Sequence, residues 1–88
     1  MDKVTANLLK KGRHHYASKD FVKAEAYLSK VAAAGVRYAD VMNMLGVIYH
    51  DRGQMALAQD YFEKALVINP SYIEAALNFP ALRDFPSD

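Results

Sequence analysis

The chain has 88 residues, 52% apolar and 24% charged, with a net charge of +1 and no cysteine. This composition fits one small alanine-rich globular domain and excludes a disulfide framework, a thiolate zinc finger and a cysteine nucleophile. The near-zero net charge argues against nucleic acid as a partner, and no apolar run approaches the ~20 residues a membrane-spanning helix needs.

In chain order, the apolar residues recur at helical spacing. Val4, Leu8, His15 and Tyr16 predict a helix over residues 4–17. Ser18-Lys19-Asp20 is a polar break, with Asp20 placed to cap the helix that follows. Phe21, Ala24, Leu28 and Val31 mark a second helix over 21–34, closed by Gly35. Val41, Met42, Leu45, Ile48 and Tyr49 mark a third over 38–52, ended by Gly53. A fourth runs over 54–68 and stops at Asn69-Pro70. Ser71 with Glu74 forms a capping-box pattern for a fifth, carrying Ile73, Ala76 and Leu77, which Pro80 should end near residue 79. Residues 83–88 read as an extended tail. No segment shows sustained two-residue alternation.

The helices repeat. A shift of 34 residues carries Gly12 onto Gly46, Ala24 onto Ala58, Tyr27 onto Tyr61 and Lys30 onto Lys64. Leu8, Leu28 and Val31 fall on Met42, Phe62 and Ala65. A fixed period of this length signals stacked helical hairpins, each hiding an apolar face that it cannot bury alone. Charge follows a different division. Residues 1–38 hold eight Lys or Arg against three Asp or Glu, a balance of +5; residues 39–88 hold three against seven, a balance of −4.

Residues 39–72 resemble a tetratricopeptide repeat. Met42, Leu45, Gly46, Tyr49, Ala58, Phe62, Ala65 and Pro70 stand at the family's eight signature positions. Residues 5–38 are a weaker copy, with Lys11 and His15 replacing an apolar and an aromatic residue and Val36 replacing proline. Residues 73–82 match only a first helix, with Pro80 where the family has glycine. The resemblance implies an all-α, right-handed solenoid of about five antiparallel helices. One domain is expected over 1–82, made of repeat 5–38, repeat 39–72 and a partial repeat or capping helix 73–82.

The resemblance also implies function. In this family the first helix of each pair lines a concave groove that receives a segment of a partner protein. Carried over position by position, the groove residues are Ala6, Leu9, Lys10, Arg13, Tyr16 and Ala17 on the first helix and Asp40, Asn43, Met44, Val47 and His50 on the third. Leu77 and Asn78 follow on the fifth. Some members clamp the terminal carboxylate of chaperones with a Lys and Asn set; Leu9 and Arg13 occupy the first-repeat places here, which disfavours that role.

Nothing in the chain points to catalysis. It has no His-Glu-x-x-His, glycine-rich phosphate loop or nucleophile elbow. His14 and His15 are adjacent, so they diverge on a helix and do not readily share a metal. The expected protein is a non-catalytic interaction module without cofactor or metal, with a protein or peptide partner and no membrane insertion. The alternative is a homo-oligomerisation module pairing through its terminal helix or its oppositely charged ends. Met1-Asp2-Lys3 lacks the basic start and apolar stretch of a secretory signal, so the expectation is either a cytoplasmic protein or one whose leader has been removed, the cytoplasm being the favoured compartment.

Overall fold

The computed structural model describes residues 1–72. All regular structure among them is α-helical: α1 (Lys3–Ala17), α2 (Phe21–Ala33), α3 (Ala39–Asp51) and α4 (Met55–Ile68). The expectation of about five helices thus meets four; the fifth, over 73–82, lies outside the described residues, as does the tail. The chain divides into two compact units, Met1–Arg37 and Tyr38–Asp88. The first contains the α1–α2 hairpin and the second the α3–α4 hairpin.

Local chemistry sets each helix end. The Thr5 backbone N–H donates to Asp2 Oδ1 at 2.8 Å, capping α1, and the Lys23 N–H donates to Asp20 Oδ1 at 3.2 Å, capping α2. At the turns, two identical devices reverse the chain. The Asp20 N–H bonds to the His15 carbonyl and the Lys19 N–H to the Tyr16 carbonyl, both at 2.9 Å. One repeat later the Gln54 N–H bonds to the Tyr49 carbonyl at 2.9 Å and the Gly53 N–H to the His50 carbonyl at 3.0 Å. Both are left-handed helix caps. Gly53 takes φ +78° without strain, whereas Lys19 takes φ +62° with a side chain in the way. Beyond α4, the Ser71 N–H bonds to Asn69 Oδ1 and the Tyr72 N–H to the Asn69 carbonyl, closing a turn around Pro70.

Within each hairpin the two helices meet on a glycine. A Cβ built on Gly12 would stand 2.6 Å from Leu28 Cδ2, and one built on Gly46 would stand 2.5 Å from Phe62 Cδ1. Next to these contacts, His15 stacks on Tyr27 with ring centroids 5.6 Å apart, and Tyr49 stacks on Tyr61 at 5.4 Å. The pairs 12–28 and 15–27 become 46–62 and 49–61 after a shift of 34 residues. One packing scheme is therefore used twice, with His15 filling the place of Tyr49 and Leu28 that of Phe62. Leu28 and Val31 in the first unit, and Val41, Leu45, Ile48, Phe62 and Ala65 in the second, are completely or almost completely buried.

Candidate functional site

The scaffold residues are spent on packing, so candidate contacts with a partner lie elsewhere on the helices. On α1, Lys10 and Arg13 are exposed. Tyr16 is half-buried and stacks on Phe21 at 5.5 Å, which ties the end of α1 to the start of α2. Leu9 is buried. On α3, Asp40, Asn43, Val47 and His50 recur at spacings of three, four and three, so they share one helix face. Asp40 and Val47 are half-buried and His50 is exposed.

Asn43 and Met44 are buried, at 3% and 8% exposure. The structure therefore removes Leu9, Asn43 and Met44 from the groups open to solvent. For Asn43 and Met44 the physical reason is the composition of α3, where eight of the nine residues from Val41 to Tyr49 are buried and Val47 is half-buried. A helix that is apolar nearly all round is covered on most of its circumference. Asn43 tolerates burial because its amide has a polar partner; no buried side-chain N or O among the described residues lacks one. Leu77 and Asn78 lie outside the described residues.

Two further α1 residues, which the positions carried over from the family omit, join this surface. A shallow, open depression of about 420 Å³ is lined by Lys3, Ala6, Asn7 and Lys10. Lys3, Asn7 and Lys10, spaced four and three apart, form one exposed stripe. The signal available in the sequence was sign rather than spacing, because α1 contains four Lys or Arg and no Asp or Glu.

The two histidine neighbours sort into different roles. His15 is the stacking partner of Tyr27, and His14 contacts it edge-on at 5.3 Å. No group of three His, Asp or Glu among the described residues is arranged to hold a metal ion. No described helix is long and apolar enough to cross a membrane. Cations also sit over the tyrosine rings, Lys11 over Tyr27 at 5.8 Å and Lys64 over Tyr61 at 4.5 Å.

Paired helices joined by three-residue turns, meeting on a glycine at a 34-residue period, define a helical-repeat protein of the class built for binding. Residues 39–72 match the model of the tetratricopeptide repeat family. That stretch is the α3–α4 hairpin together with the turn at Pro70. Among curated proteins, an "Uncharacterized protein ycf37" from Pyropia yezoensis is 40% identical over 50 residues. The matched stretch covers 57% of this chain and 28% of that relative's length. No solved structure matches the chain. The family is a protein-interaction fold, not a catalytic one.

Proposed function

We propose that the chain is a non-catalytic module that binds a segment of a partner protein through the first helices of its repeats. The observation that carries this reading is a division of labour along α1 and α3. The signature residues Leu45, Gly46, Tyr49, Ala58, Phe62 and Ala65 are buried in the α3–α4 hairpin, while Lys10, Arg13 and His50, at the family's groove positions, stay exposed. Asp40, Val47 and Tyr16 add a carboxylate, an apolar patch and an aromatic edge, each half-buried. A partner segment with mixed charge and an apolar anchor suits this set. In this reading the partner lies on the concave face that the family uses, with Leu77 and Asn78 as further contacts.

The test is comparative capture. Immobilised wild-type chain and the variant Arg13→Ala/His50→Ala are exposed to the same cell extract. Proteins retained by the wild type and lost by the variant support the reading; identical retention by both refutes it. Both residues are exposed, so neither change disturbs the core.

A second reading, self-association, draws on one observation: residues 1–38 carry +5 and residues 39–88 carry −4. Opposite charges at two ends favour a head-to-tail pairing that salt weakens. Light scattering over a concentration series at low and high salt decides it. A mass that stays monomeric throughout excludes this reading.

A further inference from the structure

The family match accounts for the scaffold, but not for the one-signed charge of α1. Its 15 residues include Lys3, Lys10, Lys11 and Arg13, two histidines and no acid. Such a helix is not what intrinsic stability favours. Lys10 repels Arg13 at the (i, i+3) distance where an acid would stabilise. Lys3 stands in the first turn, at the positive end of the helix dipole. A surface meant only to stay solvated mixes both signs.

Two of the three acids of the first unit serve as helix caps. Asp2 accepts from the Thr5 N–H, and Asp20 caps α2 with an oxygen 4.0 Å from Lys23 Nζ. Glu25 is half-buried on α2 and has an interaction of its own.

Comparison of the two repeats sharpens the contrast. The positions of Asn7, Lys10 and Lys11 correspond, 34 residues on, to Val41, Met44 and Leu45. All three of these are buried in the second unit, while their counterparts on α1 are exposed. The face that α3 covers is thus presented by α1 to solvent, and it is cationic. The depression lined by Lys3, Ala6, Asn7 and Lys10 adjoins it.

We propose that this α1 face is a docking surface for an acidic protein segment, distinct from the groove reading above although Ala6 and Lys10 serve in both. Lys3 and Lys10 are seven residues apart, about 10 Å along a helix. An extended segment covers that distance in about three residues. The surface therefore fits a short run with carboxylates two or three residues apart, and Asn7 between the two lysines can bond to its backbone. Nucleic acid is the weaker fit. The stripe from Lys3 to Arg13 is only about 15 Å long, and a polyanion that reached further would meet a chain whose residues 39–88 carry −4.

The test uses the full chain and a hexaglutamate peptide blocked at both ends, so that no terminal carboxylate takes part. Hexaglutamine serves as the uncharged control. Backbone amide resonances are followed during titration at ~0.01 M salt, where charge interactions reach about 30 Å. The proposal expects shifts concentrated on α1 with hexaglutamate and none with hexaglutamine. Lys3→Glu/Lys10→Glu should weaken binding at least tenfold, and Lys3→Ala/Lys10→Ala several-fold; both sites are exposed, so the fold is kept. The matched control is Lys23→Glu/Lys30→Glu, the same seven-residue spacing on α2, which should change affinity less than threefold.

Equal loss from the α1 and α2 pairs overturns the proposal in favour of diffuse attraction. Tighter binding of a single-stranded DNA of equal charge overturns it in favour of nucleic acid. Loss of peptide binding in His50→Ala, equal to that from the α1 pair, assigns the peptide to the groove and overturns the separate surface. Retention of the captured partner by Lys3→Glu, with loss in Arg13→Ala/His50→Ala, leaves the groove reading standing whatever the peptide does.

Discussion

Gly46 is where the repeat is most sensitive to a single methyl group. A Cβ there would lie 2.5 Å from Phe62 Cδ1 and 2.9 Å from Phe62 Cζ. Ordinary carbon contacts are about 3.5–4.0 Å, so the ring must retreat by about 1 Å. Phe62 is 1% exposed and has nowhere to go. Overpacking of this kind costs about 1–3 kcal/mol, against a gain of about 1 kcal/mol from replacing glycine by alanine within a helix. The net expectation for Gly46→Ala is a loss of up to about 2 kcal/mol, which is a large fraction of what a chain of this size holds in reserve.

Urea denaturation followed by helical circular dichroism measures it, with amide exchange in α3 and α4 showing whether the loss is local. Gly12→Ala is the internal comparison. Its Cβ would meet Leu28 Cδ2 at 2.6 Å and Cγ at 2.8 Å. A branched aliphatic tip yields more readily than a ring, so the loss should be smaller. If Gly46→Ala instead raises stability by the helix-propensity gain, α3 and α4 do not approach as closely as described and the packing argument fails.

Three further outcomes follow from the same geometry. Lys19→Gly should stabilise the first hairpin by about 0.5–1 kcal/mol, because φ +62° suits glycine and the turn is otherwise that of Gly53; an unchanged urea midpoint contradicts it. His15→Ala should cost about 0.5–1.5 kcal/mol through loss of the stack on Tyr27, whereas His15→Tyr, which copies Tyr49 on Tyr61, should be neutral or better in the same titration. Hydrogen bonds from Thr5, through its side chain and then its backbone, hold the Asp2 carboxyl below the usual carboxylate range. A lowered folded-state value means that this contribution is present above the unfolded value and is lost as pH falls through the folded one. Wild type should therefore lose its advantage over Asp2→Ala on acidification from about pH 5 to pH 2; a constant difference refutes the cap.

Much of this was legible in the residues. The predicted helices 4–17, 21–34, 38–52 and 54–68 end within two residues of those observed, because Asp20, Gly35, Gly53 and Pro70 carry their stop and start chemistry on the surface of the sequence. Lys19 did not advertise a left-handed turn, since lysine has no preference for one. Its alignment with Gly53 did hold that information. Exposure at the candidate positions was not legible in the residues taken one by one, for a physical reason. Groove positions carry over by number, but exposure depends on what surrounds each helix. Asn43 and Met44 sit in a helix whose whole circumference is rich in apolar residues, and that run forecast burial more reliably than the family's register. Conversely, Lys3 and Asn7 fall outside the carried-over positions and emerge only when α1 is read for the sign of its charges.

The most direct measurement of the central claim is amide hydrogen exchange of the full chain with and without a captured partner. The account predicts slowed exchange confined to α1 and α3, around Lys10, Arg13, Val47 and His50, with α2 and α4 little changed. Protection centred on α2 or α4, or spread evenly over all four helices, would contradict it.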